Sequence, residues 1–527
     1  MVSTFHSIET AKRSLFTQTA ALNTTGHNIS NANTEGYSRQ VVKMTASSPM
    51  EPLAFLRSTN PGQLGSGVEF SAIERVRQGF LDSQYRSENS SLGNWEVQYD
   101  TLDKIQGIMT EPSDTGLQTV LDNFWGAWSD LSKDPENLTA RNIVKETALA
   151  LTDAMNLMSS QLNGLNQDLT NNVGVKAQEI QGYITSIGEL NQTISRIESL
   201  GDNANDLRDQ RDLLTDKLSK IVNVTVTEND QGYNISIGGQ ELVNGTAVTQ
   251  VTSDLLTDAY AAGDLTGGEV YGMIVSRDQF VTGFQNDLNQ LANTIANGDV
   301  TIKLPAGSSI REGTLAQADT VITVNGVEST VLAGQAFPAG AVLKNETPLT
   351  VQGINGLHQL GYALDGSASA GILFFTSTDG GPITAANITL NQVIQSNPNA
   401  IASSLRVDAN GNAIKGNNSL ANLMGSLKNQ AFTVPGGTDS TTINDYYKSM
   451  VGELGIQTQE AYRKATNSTS LVIQVENSRQ SVSGVSLDEE MSNMIKFQHA
   501  YSASARFMTT FDELLDKLIN STGTVGR

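Results

Sequence analysis

The sequence contains no cysteine. Disulfide scaffolds, thiol nucleophiles and cysteine-ligated zinc are thereby excluded. Histidine is scarce too, with His6, His27, His358 and His499 the only four in 527 residues. No HExxH pair joins any of them, which removes the common zinc-hydrolase arrangement. His499, two positions from Tyr501, reads as a helix-interface residue rather than a base. GxSxG and GxxxxGK[ST] are missing as well, and "GGEVYG" (267–272) lacks the spacing of a dinucleotide loop. No apolar run reaches the 18 residues of a membrane span. The opening "MVSTFHSIETAKRSLF" has no continuous apolar core and no small-residue cleavage site, so no cleaved signal peptide is expected.

Positive charge is also in deficit: 33 basic against 55 acidic residues leaves a net −22. Tracking a nucleic-acid backbone or adhering to an anionic membrane needs clustered Lys and Arg, so neither partner is expected. The acidity reads as solubility. Aromatic residues make up 6% and charged residues 17% of the chain, while amides, hydroxyls and glycine abound. That balance suits an extracellular structural protein better than an enzyme. At about 150 residues per domain the length implies three or four domains.

What the sequence does have is a seven-residue apolar repeat at each end. Residues 3–32 read as one helix with a seam of Ile8, Leu15, Leu22 and Ile29. It stops in "NISNANTEGYSRQ" (28–40), where Asn28, Asn31 and Asn33 compete for backbone hydrogen bonds and "NTEG" forms a type I turn. Near the other end "SLDE" (486–489) is a capping box, and Asp488, Glu489 and Glu490 favour the positive end of the helix dipole. The helix so begun carries Leu487, Met494, Tyr501, Met508 and Leu515, widened by Phe497, Phe511 and Leu518. Such seams are made for another helix, so the nine seam residues are the candidate assembly surface. The partner is the other end of the chain, another copy, or both. A lone seam cannot repay its ordering entropy, so the ends are expected to be disordered in the isolated chain.

Between the ends, "YSRQVVKM" and "GVEFSAIERV" read as extended, and residues 45–65, with Pro49, Pro52 and Pro61, as loop. Helices are expected over 78–108, over 116–132 with Phe124, Trp125 and Trp128 as core anchor, and over 139–221 with a break at "LGDNAND". Two or three strands follow in 222–245, a helix over 278–297 and a β insertion over 298–352. "GILFF" and "NITLN" suggest short strands, the stretch from about 405 to 420 a loop, and Thr442 onward a helix broken at "SVSGVS". "RDQRD" (208–212) reads as a solvated or salt-bridged helix face. "DANGNAIKGNN" lacks the closing Glu of a calcium loop. The expected fold is mainly α with β insertions: long coiled-coil-like helices, N- and C-terminal helices paired, and a small β-rich outer domain. Its parts are a terminal assembly domain (1–40 and 486–527), an elongated helical core (41–297 and 353–485) and the inserted outer domain (298–352).

"NISNANTEGYSRQ" resembles the N-terminal signature of the bacterial flagellar axial proteins, the rod, hook and hook-associated family. "SGVSLDEEMSNMIKFQHAYSASARFMTTFDELLDKLIN" resembles the closing helix of the same family. "GYSRQ", "SGVSLDEE", "NDLRDQRDLLTDKLSKIVNVTV" and "INGLHQLGYALDG" are similar to the hook-associated members that join hook to filament. The resemblance spans 1–297 and about 353–527 and leaves 298–352 uncovered. It implies a structural adaptor at the hook–filament junction that assembles as a ring through its terminal helices. It implies export through the flagellar export apparatus to the outside of the cell, with a cytosolic chaperone on the C-terminal helix. The implied partners are copies of itself, hook protein and the next hook-associated junction protein, with no cofactor, metal or catalytic residue. Rival readings are a hook or distal rod subunit, a peptidoglycan hydrolase, which would need a convergent carboxylate pair, and a surface adhesin using 298–352.

Overall fold

In the computed structural model of the chain, the described residues are 5–48, 65–109, 116–229, 232–364, 371–408, 410–435, 437 and 440–521. Most of the loop expected at 45–65, the first residues of the helix expected at 3–32, and Ala409 of "DANGNAIKGNN" lie outside the described residues. The helices are α1 (His6–Ser30), α2 (Gly79–Met109), α3 (Leu117–Lys133), α4 (Leu138–Glu198), α5 (Asn205–Ile221), α6 (Ser253–Ala262), α7 (Gly268–Val275), α8 (Thr282–Asn297), α9 (Gly353–Leu360), α10 (Gln392–Ser396), α11 (Ser419–Ser426), α12 (Ile443–Ser483) and α13 (Leu487–Ser521). A π-helical turn, Ser276–Val281, joins α7 to α8. Among the described residues no helix is long and apolar enough to cross a membrane.

The chain forms two compact units: residues 1–96, 173–272 and 464–527 make the first, and 97–172 and 273–463 the second. In the first, α1 and α13 pack along each other. Strands β1 (Gln40–Ala46) and β2 (Val68–Arg75) pair antiparallel from Gln40↔Arg75 to Ala46↔Val68, with a bulge between Lys43 and Met44. Strands β3 (Thr225–Asn229), β4 (Gly232–Ile237) and β5 (Gln240–Asn244), three within the expected 222–245, form an antiparallel meander with β6 (Ala247–Val248) just beyond it. The C-terminal half of α4 buries Val173, Ala177, Ile180, Ile184, Ile187, Asn191 and Ile194, steps of three and four that put one face inward. The described residues of both ends are helical and packed on each other. Each end finds its partner in the other, and the contact includes buried polar groups that hold only one register.

The second unit has an aromatic core around α3. Phe124, Trp125 and Trp128 are fully buried, as the sequence suggested. Trp128 meets Phe374 at 5.4 Å between ring centroids, and Phe374 meets Phe375 edge-on at 4.9 Å. Strand β7 (Asp299–Leu304) pairs antiparallel with a later strand (Thr347–Gln352), so the insertion leaves and re-enters through neighbouring strands. Between them, β8 (Thr320–Val324) and β9 (Val327–Val331) form a hairpin around Asn325 and Gly326, whose φ of 51° and 83° suit a type I′ turn.

Among the described residues, the stretch expected as loop from about 405 holds no helix or strand until α11 begins at Ser419. A short strand (Ala402–Ser404) precedes it. Long-range polar contacts hold this strand. The buried Arg141 guanidinium donates to Ile401 O at 2.6 Å and Ser403 Oγ at 2.7 Å. His358 accepts from Ala402 N–H through Nε2 at 2.8 Å while Nδ1–H donates to Ile372 O at 2.8 Å, which fixes the tautomer. Burial lowers this imidazole to about 4.

Candidate assembly site

The end of α1 is built around one amide. Asn28 is 1% exposed and has its side-chain hydrogen bonds filled. Its Oδ1 accepts from Gln40 N–H at 3.0 Å and from the Tyr37 hydroxyl at 2.8 Å. Its Nδ2 donates to Gln40 O at 2.9 Å and to Glu490 Oε2 at 3.1 Å. The side chain thus pairs with Gln40 as a neighbouring strand would, and turns the chain from helix into β1. Burial first, then the negative charges of Asp206, Asp209 and Glu490, push the Tyr37 phenol well above its ordinary range, so it stays a donor. Gly36, at φ 77°, takes the left-handed step in the turn, where a Cβ would stand 3.0 Å from Leu213 Cβ.

At the start of α13 only half of the expected capping box forms: Ser486 Oγ accepts from Glu489 N–H at 3.5 Å. The carboxylate of Glu489 faces Arg39 Nη1 at 3.0 Å, and Glu490 Oε1 faces Arg39 Nε at 2.9 Å. A carboxylate offered a guanidinium gains more than one offered a single amide. Arg39 also donates its backbone N–H to Ser483 O at 2.8 Å.

Beneath this joint lies an ion cluster. "RDQRD" is salt-bridged as one of the two readings had it, with Asp209, Arg211 and Asp212 buried and Gln210 exposed. Asp209, Asp212 and Asp216 of α5 recur at steps of three and four and share one face; all three are buried. Arg75 and Arg77, two apart on or beside β2, point to the same side. Arg75 Nη1 lies 2.7 Å from Asp209 and 2.9 Å from Asp212. Arg77 forks onto Asp82 at 2.8 and 3.0 Å. Arg86 Nε is 2.7 Å from Asp216, and Arg479, near the end of α12, pairs with the other oxygen of Asp216. Four guanidiniums thus meet four aspartates. Burial alone would raise the Asp212 carboxyl, but Arg77, Arg75, Arg86 and Arg211 outweigh it and hold it below the ordinary range. Ser38 N–H donates to Asp209 Oδ2 at 2.8 Å, tying the "GYSRQ" segment to the cluster.

The nine seam residues are spread along the two paired helices. Ile8, Leu15, Leu22, Ile29, Met494, Met508 and Leu515 are half-buried, while Leu487 and Tyr501 are exposed. The fully buried positions of α1 are smaller or polar: Ala11, Thr17, Ala21, Thr24, Thr25 and Asn28. On α13, apolar side chains remain outside the pair. Met491 (58% exposed) and Ile495 lie on one flank of the α1-facing stripe at 100° per residue, and Phe507, Leu514 and Leu518 on the other. Phe16 of α1 is 62% exposed. His499 is exposed. Among the described residues no group of His, Asp or Glu could hold a metal ion.

Periodicity found the two helices but not Asn28, Arg39, Glu490 or the ion cluster. The usable signals were the 209/212/216 helical spacing and the 75/77 strand spacing, unusual in a chain with so few charges.

Residues 102–298 match the family described as the flagellar hook-associated protein FlgK helical domain. Residues 8–37 match the flagella basal body rod protein family, and residues 477–521 the flagellar basal body rod FlgEFG protein C-terminal family. The chain is 33% identical over 533 residues to flagellar hook-associated protein 1 of Bacillus subtilis (strain 168), covering all of both chains. It is 27% identical over 561 residues to flagellar hook-associated protein 1 of Escherichia coli (strain K12), covering 97% of this chain and 99% of that one. The structure of the flagellar hook junction protein FlgK from Burkholderia pseudomallei aligns at a TM-score of 0.49 and 17% identity, over 76% of this chain and all of the other. With one position in three shared along the whole length of the Bacillus relative, the chain belongs to the flagellar hook-associated protein 1 family.

Proposed function

We propose that the chain is the structural adaptor between flagellar hook and filament, and that it works as an assembled ring rather than as an enzyme. The observation that carries this reading is the apolar surface left on both flanks of α13 after α1 has covered a third side. A helix pair greasy on two flanks suits a closed ring, where every copy meets a neighbour on each side through unlike faces. The nine seam residues and the exposed Met491, Ile495, Phe507, Leu514 and Leu518 form that contact surface. Residues 1–40 and 486–527 act as the assembly domain, the helical body as the core, and 298–352 as an inserted outer domain.

The partners in this reading are further copies of the chain, hook protein on one side and the next hook-associated protein on the other. The chain reaches its extracellular place through the flagellar export apparatus, escorted by a cytosolic chaperone on α13. Deleting the gene tests the role. The expected result is cells with hooks, no filaments, and filament subunits in the medium; a null strain with normal filaments overturns it.

A further inference from the structure

We infer that Glu490 is a positioning residue for assembly: its carboxylate, clamped between Asn28 and Arg39, sets the seat of α13 and so the aim of its apolar flanks. Among the described residues of α13, Glu490 is the only buried side chain, at 2% exposure. Every apolar residue of that helix is half-buried or exposed. Half-buried apolar contacts allow sliding and rotation, because the attraction has no direction. A carboxylate with a different donor on each oxygen has one position. Oε1 takes Arg39 Nε at 2.9 Å, and Oε2 takes Asn28 Nδ2 at 3.1 Å.

Arg39 holds both sides of the break between α12 and α13. Its backbone N–H binds Ser483 O before the break, and its guanidinium binds Glu489 and Glu490 after it. Asn28 ties the same carboxylate to the end of α1 and to β1. One charged group therefore fixes the angle at which α13 starts out along α1. The helix runs on to Ser521, about 45 Å at 1.5 Å per residue, so a 10° tilt at Glu490 would move the tip by roughly 8 Å. That is close to the spacing of packed helices, enough to misplace the flanks against a neighbour.

The consequence for assembly rests on the adaptor reading; the clamp itself does not. Amide exchange on the full-length chain tests the clamp, with α3 as an internal control. Glu490→Ala and Glu490→Gln are expected to speed exchange over residues 491–515 by about 10- to 100-fold, as loss of a hydrogen bond to a charged group would, with α3 unchanged. Asn28→Ala is expected to do the same, and Asn28→Ala/Glu490→Ala to fall short of the sum of the two, since they share the Asn28–Glu490 hydrogen bond. Unchanged exchange, additive effects, equal acceleration of α3, or wild-type exchange over 491–515 at the rate of an unfolded chain overturns the inference. In a strain lacking the native gene, E490A is expected in the medium with hooks bare of filament. Normal filaments with E490A, or E490A trapped in the cell, overturn the positioning role and leave the adaptor reading standing. Filaments in the null strain overturn the adaptor reading instead.

Discussion

The hydroxyls of Ser14 and Ser504 share a hydrogen bond of 2.7 Å, although 490 positions separate them in sequence. Asn28 meets Glu490 fourteen residues further along α1 and fourteen residues back along α13. Two contacts with that spacing define an antiparallel helix pair in a single register, two heptads apart on each strand of the pair.

Because the chain has no cysteine of its own, this register can be trapped cleanly. Ser14→Cys with Ser504→Cys places two thiols within reach of a disulfide. Mild oxidation of the purified variant is expected to give a monomeric species that migrates faster on a non-reducing gel and reverts with reductant. Shifting one cysteine to Ser502 is expected to abolish the band.

The ion cluster is expected to be far less forgiving than a surface pair. Asp216→Asn removes one of four carboxylates and leaves Arg86 and Arg479 short of a counter-charge where side chains are nearly dry. A buried pair broken on one side typically costs about 3–5 kcal/mol. Denaturant unfolding of the first unit should register that loss, while Lys104→Ala, which breaks an exposed pair with Asp100, is expected to stay within about 0.5 kcal/mol.

Acid should act on the two units in different windows. His358 is held at about 4 from an ordinary 6.5, chiefly by burial, with Arg311 and Arg141 adding to it. The unfolded chain therefore takes up this proton first. The stability that the neutral ring contributes is fully present above pH 6.5 and is lost as pH falls from 6.5 towards 4, by roughly 3 kcal/mol in all. Asp212 lies below its ordinary range, so its contribution is lost only on falling through and below about pH 4. Thermal melts between pH 7 and 4 are expected to show the second unit weakening first, and His358→Gln is expected to flatten that slope.

Gly93 allows α2 to touch the end of α5. A Cβ there would overlap the Lys220 carbonyl oxygen and stand 3.1 Å from the Glu269 amide nitrogen. Both obstacles are backbone, so neither can swing aside. Gly93→Ala is expected to destabilise the first unit by about 1–3 kcal/mol despite its better helix propensity, read as a lower denaturation midpoint. Gly107→Ala, with nothing within 4 Å of its Cβ position, is expected to be neutral or slightly stabilising.

Periodicity made most of the architecture legible. The stripe from Ile180 to Ile194, the seams at both ends and the alternation in 298–352 each repeat a simple spacing, and repeated spacing is what burial of one face imposes. The strand at Ala402–Ser404 was not legible, because contacts from Arg141 and His358, more than forty positions away in sequence, hold it. The half-used capping box has the same cause: Glu489 had a better partner in Arg39 than in its own helix.

The sequence by itself determined that the chain would carry two seamed helices at its extremities, a helical body and a β insertion. Those features follow from which residues are apolar and how often they recur. Only the tertiary structure decided that the ends pair with each other, that four arginines gather on four buried aspartates, and that Asn28, Arg39 and Glu490 hold the joint. A charge records its sign in the sequence but not its partner, and whether it lies in water or in the interior depends on what the rest of the chain brings to it.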